Sequence, residues 1–125
     1  MTKSLTNINV LDFSHALSGP FCSMLLAELG AKIIKIEPPH GDHFRPANGG
    51  ATFAVVNRNK RSLCLDLKQP SASIIMERLI SKCDVILENF TPGTMKRLGY
   101  HYEALKKLKP DIIYASISGF GSTGP

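Results

Sequence analysis

Five short apolar runs, separated by stretches that read as helix or loop, constrain this chain more than any other feature. They are residues 8–13 (INVLDF), 31–37 (AKIIKIE), 62–67 (SLCLDL), 84–88 (DVILE) and 111–117 (DIIYASI). The second, fourth and fifth are almost continuously apolar, which is the pattern of strands buried on both faces. Strands that alternate with helices pair in parallel, because each crossover returns the chain to the same end of the sheet. The expectation is therefore an α/β fold, a parallel sheet with helices on both faces. At 125 residues the chain is of ordinary size for one domain.

The segments between the runs carry helix signals. Pro20 suits a first helical position, and Gly30 is placed to cap the far end of a helix over 20–29. That helix is apolar on nearly every side, with Glu28 its only charge, so it requires cover on more than one face. Pro38 and Pro39 end the second strand. A Gly/Pro/His/Asp loop fills 40–50, and the type of the short element at 52–56 is left open. Pro70 opens a helix in which Ile75, Met76, Leu79, Ile80 and Cys83 recur at helical spacing. Short helices are expected around 94–98 and 102–108. Ligands on such sheets bind beyond the carboxyl ends of the strands. The loops there are SHALSG, PPHGDHFRP, LKQP, NFTPG and SGFGSTGP, the last directly following a core strand, as expected of a piece of a longer protein.

Several function classes are disfavoured. An excess of 15 Lys+Arg over 10 Asp+Glu favours anionic partners, but charge alone is better read as a solubilising surface. No GxGxxG follows the first strand, and GFGSTG lacks the Lys-Ser/Thr of a phosphate loop. Cys22, Cys64 and Cys83 have no metal-ligand spacing and read as small core residues in a reducing compartment. His40 and His43 lack a third ligand, so no metal is expected. Arg58, Lys60 and Arg61 read as a solvated loop, and no aromatics interleave with them to suggest nucleic acid. The polar N-terminus is no signal peptide, and no run is long enough to cross a bilayer. A cytoplasmic location without membrane attachment is expected. His15, just past the first strand, is read equally as a ligand contact or as a loop histidine bonded to backbone.

Four motifs in order give the chain its resemblance: LDFSHALSGPFCSMLLAELGAKIIKIEPP, NRNKRSLCLDLK, DVILENFTPGTMKRLG and IIYASISGFGSTGP. Together they resemble the N-terminal part of the family III coenzyme A transferases, which includes formyl-CoA:oxalate-type transferases, carnitine-CoA transferases and alpha-methylacyl-CoA racemases. The resemblance implies that residues 1–125 are a partial CoA-binding Rossmann-like domain, the N-terminal segment of a large domain normally followed by a smaller one. It also implies a homodimer of interlocked chains. Carried over residue by residue, His15, Ala16 and Leu17 would lie along the thiol end of coenzyme A and the acyl group. Leu65, Asp66, Leu67 and Lys68 would hold the adenine and its phosphates. Asn89 and Phe90 would contact the cofactor beside the fourth strand, and Arg97 would neutralise a phosphate. Two positions depart from the family pattern. Leu17 stands where some members have a glutamine that handles a carboxylate, which disfavours oxalate-like substrates. Pro38 stands where some have an arginine near the adenine, for which Arg45 is the available replacement.

The resemblance implies transfer of CoA between an acyl-CoA thioester and a free carboxylic acid. The nucleophile would be an aspartate beyond Pro125, passing through an aspartyl anhydride and an aspartyl-CoA thioester. No residue of this chain is assigned the nucleophile, and the 125-residue chain alone is expected to be inactive. The alternatives are a racemase-type enzyme, whose acid-base residues also lie downstream, and a non-catalytic CoA-binding fragment.

Overall fold

The computed structural model describes residues 3–121 and 123. Its sheet contains β1 (Asn9–Asp12), β2 (Lys32–Glu37), β3 (Lys60–Cys64), β4 (Val85–Glu88) and β5 (Ile113–Ser116). All pairs are parallel, in the order β3-β2-β1-β4-β5. This is the α/β arrangement that the alternation of runs requires. The helices are α1 (Ser18–Glu28), α2 (Ala51–Asn57), α3 (Pro70–Ile80), α4 (Thr94–Arg97) and α5 (Tyr102–Leu108).

The pleat sorts the core into two layers. On one face Val10, Ile33 and Leu87 pack with Ala27 of α1 and Ala31. On the other, Leu11, Phe13, Ile36 and Ile86 pack with Met76 and Ile80 of α3 and Leu105 of α5. The expectation that α1 needs more than one covering face meets a clear outcome. Its Gly19, Pro20, Ser23, Met24 and Ala27 are buried, while Phe21, Leu25 and the following Leu29 stay about half exposed.

One local reading is completed and two are revised. Residues 52–56 belong to α2, entered through left-handed backbone at Asn48, Gly49 and Gly50. The third strand begins at Lys60, not Ser62, because Lys60 and Arg61 pair with Ile33 and Ile34. It ends at Cys64, so Leu65 and Leu67 lie beyond the strand and are free to wall a cleft. Of the closing loop, Ser122, Gly124 and Pro125 lie outside the described residues.

Candidate functional site

The chain winds from β1 outward to β3, then crosses back to β4 and β5 on the other side. The connections leaving β1 and β4 therefore diverge, and the crevice between them is where open α/β sheets bind ligands. His15 and Asn89 flank it. Asn89 Oδ1 accepts the His15 N–H and Asn89 Nδ2 donates to the His15 carbonyl, both at 2.8 Å. The Asn89 amide is thus bonded to both backbone groups of His15 and supports the loop that carries it. Ala16 follows in the left-handed region at φ 63°, and α1 then starts so close to β1 that only glycine fits. A Cβ at Gly19 would stand 2.2 Å from Ser14 Cβ.

His15, Leu65, Lys68 and Phe90 line a single cleft of about 240 Å³ floored by Phe13 and Ile36. The Phe90 and His15 rings face each other at 5.2 Å. Arg97 reaches the same rim through Thr94, donating to its Oγ1 at 2.7 Å. Ala16 and Leu17 are not among the residues lining this cleft, and Leu17 projects outward with 54% of its surface exposed. With Asp66 and Leu67 also in its lining, the cleft gathers six of the ten residues expected from the sequence, with Arg97 adjoining and Asn89 behind His15. A larger open groove of about 970 Å³ lies across Phe90, bounded by Ser18, Asn89 and residues 117–121.

Beneath the β1 and β2 carboxyl ends lies a feature the sequence reading missed. On the α1 face, the side chains of Asp12, Lys35, Glu37, Asp42 and Lys60 are all at most 2% exposed. Lys60 Nζ donates to Asp12 Oδ2 at 3.1 Å, to Asn57 Oδ1 at 2.9 Å and to the Pro20 carbonyl at 2.8 Å. The solvated-loop reading of Lys60 is therefore wrong: it is the first residue of β3, aimed under α1. Arg58 pairs with Glu28 at the surface. Asp12 also accepts from the hydroxyls of Ser14 and Ser23.

Lys35 Nζ bridges the Ser14 carbonyl at 2.5 Å and Asp42 Oδ2 at 2.9 Å. Glu37 takes a bidentate fork from Arg45 at 2.6 and 2.7 Å and a bond from the Ser62 hydroxyl at 2.6 Å. The Arg45 guanidinium also lies 4.1 Å over the Phe53 ring, so its fork and one face are both engaged within the chain. The sequence did hold a signal. Lys35 and Glu37 alternate with Ile34 and Ile36, which puts two charges on one strand face that helices must cover.

Electrostatics follow from this packing. Burial would push the Glu37 carboxyl up, but Arg45, Ser62 and the Asp42 N–H outweigh it and hold it at about 2. Burial opposes ionisation of Asp42 as well, yet the Phe44 N–H and Lys35 leave its carboxyl below the usual range. Burial lowers the Lys60 ammonium against the pull of Asp12. The His15 imidazole is lowered by burial first and Lys35 second, with Asp42 pulling the other way. His40 and His43 are exposed, and among the described residues no group of three ligands could hold a metal ion. Nor, among those residues, is any helix long and apolar enough to cross a membrane.

The family model described as CoA-transferase family III matches residues 5–125. The chain is 45% identical over 128 aligned positions to a formyl-CoA:oxalate CoA-transferase of Bradyrhizobium diazoefficiens, covering 97% of this chain and 30% of that protein. It is 50% identical to an acetyl-CoA:oxalate CoA-transferase of Acetobacter aceti, covering 93% of this chain and 31% of that protein. Among solved structures, a CAIB/BAIF family protein from Brucella suis superposes with a TM-score of 0.95 at 36% identity, covering 100% of this chain and 36% of that one. Rv3272 from M. tuberculosis superposes with a TM-score of 0.94 at 39% identity, covering 98% of this chain and 35% of that one. The chain thus spans about a third of the length of the proteins it matches.

Proposed function

The chain belongs to CoA-transferase family III, and from that premise we propose that it supplies the coenzyme A-binding part of an enzyme moving CoA between an acyl-CoA thioester and a free carboxylic acid. The observation that carries this reading is the cleft joining His15, Leu65, Lys68 and Phe90 with Arg97 at its rim. Its chemistry fits the ligand. The interior is apolar and suits an uncharged adenine or pantetheine portion. Among the described residues, neither Lys68 nor Arg97 has a carboxylate partner, so both cations are free to meet phosphate. Asp66 shares the rim, one of its oxygens accepting the Lys68 N–H and the other the Gln69 side-chain amide.

In this reading the residues of this chain bind and orient the thioester and shield it from water. The bond-making nucleophile is an aspartate beyond Pro125, in an enzyme that acts as a homodimer in the cytoplasm. Leu17 offers no hydrogen bond to a second carboxylate, so the acceptor is read as a monocarboxylic acid although the named relatives act on oxalate. Calorimetry with CoA, dephospho-CoA and pantetheine tests the reading. Lys68→Ala and Arg97→Ala each remove a charge-assisted contact and should weaken CoA by roughly tenfold, with pantetheine unaffected. Equal losses for pantetheine would count against a phosphate role. Steady acyl exchange by the 125-residue chain alone would refute placing the nucleophile outside it.

A further inference from the structure

His15 is held from every side. Lys35 grips the preceding carbonyl of Ser14, Asn89 binds both backbone groups of His15, and Phe90 packs on its ring. The imidazole Nδ1 is buried and, among the described residues, has no hydrogen-bond partner. The group facing it is Asp42 Oδ2, at 3.6 Å, whose ionised form Lys35 secures from 2.9 Å away. A carboxylate only accepts, so this approach favours the proton on Nδ1. Separations of this size commonly tighten when ligand binds. The other ring nitrogen, Nε2, makes no hydrogen bond within the described residues and is not among the buried unpaired atoms, and the residue lines the cleft. An accessible lone pair inside an apolar cleft is a recognition element.

We propose that Asp42 is a positioning residue that fixes the His15 imidazole as its Nδ1–H tautomer, presenting Nε2 to the cleft as the acceptor for an amide N–H of the pantetheine arm. The identity of the ligand rests on the coenzyme A reading above, whereas the dyad rests on this chain's own geometry. The charged part of the ligand goes to Lys68 and Arg97 at the rim, which leaves the interior to an uncharged part. Along the pantetheine arm, the N–H donors are the two amides. The charged and titratable groups around His15 are Asp12 of β1, Lys35 of β2, Asp42 and His43 of the following loop, and Lys68 across the cleft. The Lys35 ammonium, bonded to the Ser14 carbonyl and to Asp42, is near enough that protonating His15 sets a second cation beside a buried one.

Two measurements on the 125-residue chain decide the proposal. Imidazole ¹⁵N shifts of His15 should show Nδ1 protonated and Nε2 bare in the wild type, and a mixture of tautomers in Asp42→Asn. An Nε2–H tautomer in the wild type, or an unchanged tautomer in a folded Asp42→Asn chain, overturns the positioning role. Because Asp42→Asn strips Lys35 of its buried partner and can unfold the chain, His15 variants carry the second test. His15→Gln keeps an acceptor near the Nε2 position, whereas His15→Asn reaches only the Nδ1 position. Loss of one hydrogen bond should weaken CoA and pantetheine by about tenfold in His15→Asn but by no more than about threefold in His15→Gln. Adenosine 3′,5′-bisphosphate, which lacks the arm, should bind all three alike. Wild-type affinity for CoA should also fall on the acid side of pH 6.5, where protonation turns Nε2 into a donor, and this limb should vanish in His15→Gln. Full-strength binding by His15→Asn, or an equal loss for the bisphosphate, overturns the amide acceptor. A chain that keeps the Nδ1–H tautomer but binds no CoA refutes the coenzyme A reading, and with it the assignment of this acceptor.

Discussion

The Glu37 carboxylate is the most direct lever on the buried ion network. Its pKa is held at about 2 against an ordinary value of 4.5. A depressed carboxyl adds stability that is fully present above the unfolded value and lost as the pH falls through the folded one. The gap corresponds to about 3 kcal/mol at neutral pH, of which about 2 kcal/mol should be gone by pH 3. This is an upper figure, because Arg45 is 45% exposed and solvent screens part of its pull. Urea unfolding of wild type and Glu37→Gln at pH 7, 5, 4 and 3 separates this group from the other carboxylates. The variant should be less stable at pH 7 by up to about 3 kcal/mol, and the two curves should converge toward pH 3. Curves that stay parallel across pH 5 to 3 would show that the fork from Arg45 and Ser62 does not hold the charged form, refuting the reasoning.

Two further outcomes are expected. Gly19→Ala drives a Cβ to within 2.2 Å of Ser14 Cβ, and should lower the urea midpoint by the equivalent of about 1–3 kcal/mol. Gly119→Ala meets nothing within 4 Å and should be neutral. The outward stripe of Leu17, Phe21, Leu25 and Leu29 should make the isolated chain self-associate, as ultracentrifugation at several concentrations can measure. Phe21→Glu with Leu25→Glu should suppress the association, and a wild-type chain monomeric at all concentrations would contradict it.

What was legible in the sequence was whatever is encoded locally. Strand order along the chain, the Pro20 and Pro70 helix starts and the alternation that enforces parallel pairing all depend on neighbours a few residues apart. Register did not. Lys60 and Arg61 look like loop residues until their pairing with Ile33 and Ile34 extends β3 backward. The cleft was legible as a set of loops, and the loops after β1, β3 and β4 do meet. The roles within it were not, because they depend on contacts distant in sequence. Asn89 reads as a ligand contact by likeness, and that its amide also clamps a backbone 74 residues away is visible only in the fold. Lys60 reads as a solvated loop charge because its partner Asp12 lies on a different element.

The ion network also bears on what the crevice can do. Exchanging buried ion pairs for packed apolar groups is often neutral or stabilising, so net stability alone is a poor explanation for the five buried charged groups Asp12, Lys35, Glu37, Asp42 and Lys60. Their contacts point elsewhere. Lys35 and Asp12 hold the carbonyl and amide of Ser14, Lys60 holds the Pro20 carbonyl at the start of α1, and Glu37 holds the amide of Asp42. Each of these contacts fixes a backbone group near the crevice, and those of Ser14 and Asp42 lie in loops outside any helix or strand. An apolar replacement would pack as densely but could not bond those groups. The loop carrying His15 and left-handed Ala16 is thereby tied to β2, β4 and the segment after β2 at once. A ligand entering the cleft meets a wall already ordered, and the entropy of ordering that wall is lost during folding rather than on binding.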